Sequence, residues 1–168
     1  MSTFQPIDCP PEEWESTVYA GLEALLTADD YGISQLANAA SFIMDVMPIL
    51  NWAGFYIFRG GELALGPFQG KPACTRISLN RGVCGEAART LKLMRVGNVD
   101  LFPGHIACDS ASKSELVIPL HQEGRLKGVL DLDSPILDRF RHEDELFFAK
   151  VGDLLSSLVH WEDLSSQK

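Results

Sequence analysis

Three observations predict an α+β domain with an antiparallel sheet between N- and C-terminal helices. Two segments of helical period precede any strand, two pairs of strand-like runs are joined by short glycine-containing turns, and a long helical period closes the chain. With 168 residues, 46% of them hydrophobic, the chain suffices for one substantial core but hardly for two. Residues 1–168 are therefore expected to form a single domain, with 1–10 as a flexible tail.

The first helix is predicted from Pro10-Pro11-Glu12-Glu13 onward, where Trp14, Val18, Leu22 and Leu25 recur at helical spacing behind an acidic first turn. From Gly32 a second pattern, Leu36, Ala39, Ala40, Ile43, Met44 and Met47, repeats the period and must stop before Pro48. The aromatic-rich run Asn51 to Phe58 and the run Leu63 to Phe68 are separated by Gly60-Gly61, a hairpin signal. Thr75 to Ser78 reads as a short strand, Gly82 to Arg89 as a short helix entered through glycines, and Leu93 to Val96 as another short strand. About 17 residues without a clear period follow, a length that in a compact domain usually marks function or disorder. Glu115 to Leu120 and Leu126 to Asp133 form a second hairpin around Glu123-Gly124-Arg125. His142 to Leu164 carries Leu146, Phe147, Val151, Leu154, Leu155, Leu158 and Val159, and is predicted as one long closing helix. The helices are expected on one face of the sheet, and the closing and first helices together offer a homodimer seam.

A formal charge of −9 and the absence of any run of Lys or Arg argue against nucleic acid and anionic membranes as partners. No basic segment followed by an apolar one opens the chain, and nowhere do about 18 apolar residues run together, so a cytoplasmic location is expected. Four cysteines are too few for a disulfide scaffold, and each needs its own account.

Cys9, in the proline-rich tail, is read as incidental. Cys84, in Gly82-Val83-Cys84-Gly85-Glu86, falls at a helix N-terminus, where free N–H groups and the helix dipole favour a thiolate; as a small apolar residue it also suits a buried packing position. Cys74 and Cys108 sit in loops, where cysteines are suited to making and breaking a disulfide. A zinc set drawn from Cys74, Cys84, Cys108 and His105 lacks the close C-x2-C spacing of common zinc sites. Asp131 and Asp133, two apart on one strand, project from one face opposite Glu115. Facing inward, they would bind an ammonium group or donate a proton; facing outward, they end the strand in solvent. Trp52 and Tyr56 are core or rim residues, or an aromatic wall for a small substrate.

Seven segments together resemble the GAF-domain free methionine-R-sulfoxide reductases. They are Asn51-Trp52-Ala53-Gly54-Phe55-Tyr56, Gly66-Pro67-Phe68-Gln69-Gly70, Cys74, Gly82-Val83-Cys84-Gly85, His105-Ile106-Ala107-Cys108-Asp109, Ser114 to Pro119, and Leu130-Asp131-Leu132-Asp133-Ser134. The resemblance implies a GAF fold, with an antiparallel sheet of about six strands flanked by helices and a closed pocket for one amino acid. It makes Cys108 the catalytic cysteine and Cys74 its resolving partner, with Cys84 auxiliary, and this overrules the helix-terminus argument for Cys84. Trp52, Tyr56, Glu115, Asp131 and Asp133 are then expected to bind substrate. A carboxylic acid among Glu115, Asp131 and Asp133 would protonate the departing oxygen, and a thioredoxin-type donor would reduce the resulting disulfide. No metal or organic cofactor is required. The competing expectation is a non-catalytic GAF sensor that binds a small ligand and signals through its helices, against which stand the three cysteines around one region.

Overall fold

The computed structural model describes residues 7–26, 31–105 and 110–164. Helix α1 (Trp14–Leu25) follows a 3-10 turn at Pro11–Glu13, since a proline there forfeits only an N–H that has no helical acceptor. Helix α2 (Gly32–Val46) ends where Met47 turns extended, the conformation that the following Pro48 imposes. Six strands then form one antiparallel sheet: β1 (Trp52–Arg59), β2 (Glu62–Gly70), β3 (Arg76–Ser78), β4 (Met94–Val96), β5 (Ser114–Gln122) and β6 (Arg125–Ser134). Their spatial order is β3-β2-β1-β6-β5-β4. Helix α3 (Gly82–Thr90) lies between β3 and β4 in the chain, and α4 (His142–Leu158) follows β6.

Both hairpins turn through two residues of positive φ, Gly60-Gly61 and Glu123-Gly124, the backbone that two-residue turns between right-twisted strands require. In the first hairpin one β1 residue, Phe55, faces two on β2, Gly66 and Pro67. Pro67 has no N–H to give a ladder, and a bulge is where a strand tolerates that loss.

Alternation along the strands divides the core in two. Ala53, Phe55 and Ile57 of β1, with Leu116, Ile118, Leu130 and Leu132, pack against α1, α2 and α4. Trp52 and Tyr56, with Val117 and Val129, face the other way, toward Val83, Cys84, Ala87 and Ala88 of α3. The helices thus do not share one face: three cover one side and α3 covers the other. This explains why β1 reads as a nearly unbroken apolar run, because a strand buried on both faces has no solvent side to mark with polar residues.

The closing helix is also shorter than its period suggested. It stops at Leu158; Val159 turns extended, and a 3-10 turn, Trp161–Leu164, follows. Trp161 and Leu164 are nonetheless buried in the same core cluster as α4, so the apolar period continues past the end of the α-helix. Gln35, fully buried on α2, anchors this corner: its amide donates to the carbonyls of Leu26 and Leu158 and accepts from the His160 N–H.

Candidate active site

The α3 side of the sheet carries a cavity at the ends of β1, β5 and β6. Register sets its floor. Asp131 lies between Gly54 of β1 and Val117 of β5, and Asp133 lies between Trp52 and Glu115. Because side chains alternate, Trp52, Tyr56, Glu115, Asp131 and Asp133 all project to the one face. Gly54 leaves room in the floor, where a Cβ would fall 2.6 Å from the Trp52 ring and 2.3 Å from the Phe68 Cβ. Trp52 stacks between Phe68 and Tyr56, at centroid distances of 5.3 and 5.9 Å, and its indole N–H donates to the Lys71 carbonyl at 3.1 Å. The Tyr56 hydroxyl donates to the Cys74 carbonyl at 3.0 Å.

Helix α3 forms the roof. Gly82 opens it at φ +69°, a left-handed conformation that favours glycine, and Gly85 lets it approach so closely that a Cβ would fall 2.6 Å from the Ser78 carbonyl oxygen. Cys84, in the first turn, is thereby pressed onto the carboxylates, its Sγ donating to Glu115 Oε1 at 3.8 Å. Cys84, Glu115 and Asp131 are 4%, 5% and 7% exposed, and one ligating atom from each lies within 4.8 Å of the others.

This crowding fixes the charge states. Burial, reinforced by Asp131 and Asp133, raises the Glu115 carboxyl well above its ordinary value, which favours its protonated form. Burial raises Asp131 from 3.8 to about 6, tempered by Cys84 and Glu115 as donors. Cys84 is likewise pushed up, by burial first and then by the charges of Asp131 and Glu115. The helix-terminus argument for a Cys84 thiolate therefore fails: a dipole worth about 1 kcal/mol does not outweigh full desolvation beside two carboxyl groups. Burial lowers His105, whose Nε2 lies 3.8 Å from Glu115 Oε2, against a smaller upward pull from Asp100.

Asp131→Asn is expected to stabilise the protein at pH 8 by about 1–3 kcal/mol, since a folded-state value near 6 against 3.8 means the native state disfavours that charge. Below both values the acid is protonated in folded and unfolded chains alike, so the gain should shrink as pH falls from 6 toward 4. Calorimetric melting of both proteins across that range checks it. A gain independent of pH would mean that the carboxylate is not the cause.

Of the residues named from the sequence, Trp52, Tyr56, Cys84, Glu115, Asp131 and Asp133 line this one cavity. Cys74 borders it through Tyr56 and is disulfide-bonded, so it offers no thiolate to the zinc set considered above; Cys9 and Cys84 are free thiols. Cys108 lies outside the described residues. His105, weighed only as a zinc ligand, lines the cavity, as do Lys71 and Ser112, which sequence reasoning missed. Lys71 follows Gly70 at the end of a hairpin strand, a position that offered a signal. Ser112, which accepts from the Asn51 amide at 3.0 Å, sits in aperiodic sequence that offered none. No helix among the described residues is long and apolar enough to cross a membrane.

Residues 21–159 match the GAF domain family model. A Bacillus subtilis relative named protein YtsP is 46% identical over 140 residues, 82% of this chain and 86% of the relative. The free methionine-R-sulfoxide reductase of Escherichia coli is 43% identical over 133 residues, 79% of this chain and 81% of that enzyme. The X-ray structure of free methionine-R-sulfoxide reductase from Neisseria meningitidis, in complex with its substrate, superposes with a TM-score of 0.89 at 35% identity, covering 98% of this chain and 99% of that one.

Proposed function

The chain belongs to the GAF-domain free methionine-R-sulfoxide reductase family, and from that premise we propose that it reduces free L-methionine (R)-S-oxide to methionine with a cysteine thiolate as nucleophile. The observation that carries this reading is Glu115, a buried carboxylic acid, in one cavity with an aromatic wall of Trp52 and Tyr56. Reducing a sulfoxide requires its oxygen to leave protonated, and an acid whose burial favours its protonated form is suited to supply the proton.

In the proposed chemistry the Cys108 thiolate attacks the sulfoxide sulfur while Glu115 protonates the oxygen. The hydroxyl passes from the substrate sulfur to Cys108 Sγ as the substrate S–O bond breaks, so methionine departs and Cys108 is left as a sulfenic acid. The Cys74 thiol then displaces water from that acid, forming a Cys74-Cys108 disulfide. Cys74 being bonded while Cys9 and Cys84 are free supports this pairing. Two electrons from a thioredoxin-type dithiol, in the reducing cytoplasm, restore both thiols.

Trp52 packs against the methyl end of the substrate, and Asp131 and Asp133 take its ammonium group. That ammonium is the basis for selecting the free amino acid, because a peptide bond removes it and leaves buried carboxylate unpaired. Cys84 serves as an auxiliary thiol in the roof of the cavity rather than as the nucleophile.

The test is turnover of free R-sulfoxide, free S-sulfoxide and a peptide-bound R-sulfoxide with a dithiol donor. Reduction of the free R form alone is expected, with the peptide disfavoured by ~10⁴-fold, as for sites whose buried polar groups lose a partner. Equal turnover of the peptide would remove the assigned role of Asp131 and Asp133, and no turnover of any form would return the chain to a sensor.

A further inference from the structure

We propose that Cys84, Glu115 and Asp131 form a binding site for a borderline-soft divalent cation, Zn²⁺ being the natural occupant, and that an ion held there shuts substrate out of the cavity. The second half rests on the function proposed above; the first does not.

The geometry suits such an ion. Tetrahedral zinc, with Zn–S ~2.3 Å and Zn–O ~2.1 Å, sets a sulfur and an oxygen ligand about 3.6 Å apart. Cys84 Sγ and Glu115 Oε1 stand 3.8 Å apart, and ligating atoms of all three residues fall within 4.8 Å of one another. Small rotations of the carboxylates close the remainder.

The site is also held rigidly, by the first turn of α3 and by the paired strands β5 and β6. Asp131 supplies an independent sign that something is to be bound. Its Oδ1 is buried and has no hydrogen-bond partner among the described residues, although the residue lines the cavity. A buried carboxylate oxygen without a partner is a costly feature unless a cation or donor meets it.

The donor set selects the class of metal. One thiolate with two carboxylates is a soft ligand beside hard ones, which fits Zn²⁺ and does not fit Mg²⁺ or Ca²⁺, whose shells call for six or more oxygens. His105, on the lining of the same cavity, sets its Nε2 3.8 Å from Glu115 Oε2. As the Sγ–metal bond forms, the Cys84 thiol and the carboxylic acid release their protons to solvent, and no electron is transferred. The ion then occupies Asp131, one of the two carboxylates that would otherwise meet the substrate ammonium, and Glu115, the proposed proton donor.

The test uses the full chain in its oxidised form, with Cys74 bonded, and Co²⁺ as the spectroscopic probe. A sulfur-to-cobalt charge-transfer band in the near ultraviolet is expected, bleached by Zn²⁺ and unaffected by Mg²⁺. It should vanish in Cys84→Ser and persist in Cys9→Ser. Asp131→Asn, which keeps the side-chain shape, should weaken Zn²⁺ binding by at least ~10-fold, the lower end of what even outer-shell changes cost a metal site. With substrate, Zn²⁺ should raise KM and leave kcat unchanged. No band, or a band unchanged in Cys84→Ser, overturns the site. A band with Zn²⁺-insensitive turnover overturns the exclusion of substrate. A band in a chain that turns over no sulfoxide leaves the metal site standing and removes the proposed function instead.

Discussion

Cys108→Ser is expected to abolish multiple-turnover reduction of free methionine R-sulfoxide, lowering kcat by ~10⁴-fold or more, the scale seen when an enzyme loses its nucleophile. Cys74→Ser should behave differently. It still releases one methionine per protein molecule and then stalls, because the sulfenic acid on Cys108 has no thiol to condense with. The contrast separates attack from resolution, and quenched single-turnover measurement of released methionine reads it directly. Serine is a near-isostere of cysteine, but its hydroxyl is not ionised at neutral pH and cannot replace a thiolate. Cys84 is not expected to substitute, since desolvation and two neighbouring carboxyl groups hold it as a neutral thiol. Full turnover in Cys108→Ser would move the nucleophile elsewhere and reopen the case for Cys84.

The chemistry of Cys84 is set by residues distant in sequence. Sequence places Cys84 in the first turn of a helix, and it is there; what sequence could not supply is the sheet beneath it. The dipole of a nine-residue helix is a local feature, whereas the carboxylates that dominate Cys84 lie 31 and 47 residues further along the chain on β5 and β6. Glu115 and the Asp131-Asp133 pair were legible as a face, because alternation along a strand has a fixed period of two. Which way that face pointed was open, since it depends on α3 covering the sheet from the second side. The hairpins were legible from Gly60-Gly61 and Glu123-Gly124, where the required positive φ is local chemistry. The end of α4 was not. Trp161 and Leu164 keep the apolar period while leaving the α-helix, and periodicity reports which residues are buried rather than which backbone delivers them.

Glu115→Gln is the second change of large expected effect, and its signature lies in the pH profile as much as in the rate. At pH 7 kcat should fall ~10²- to 10⁴-fold, the usual worth of a positioned proton donor. Two carboxyl groups share the cavity, Asp131 raised to about 6 and Glu115 raised well above its ordinary value, and the proposed chemistry uses the first ionised and the second protonated. An ionised Asp131 binds the substrate ammonium, so kcat/KM should rise as pH increases through about 6. A protonated Glu115 gives its proton to the departing sulfoxide oxygen, so activity should fall once pH passes the Glu115 value. Because the two groups interact, the limbs report the pair rather than either residue alone, and removing one member must shift the other. In Glu115→Gln the alkaline limb should disappear, since glutamine has no proton to lose. The acidic limb should move up slightly, because the Glu115 acid, whose hydrogen bond lowers Asp131, is replaced by an amide that donates more weakly. An alkaline limb that survives in Glu115→Gln would transfer proton donation to Asp131 or Asp133. The Asp131→Asn profile would then decide between them, because only the true donor takes its limb away when it is replaced.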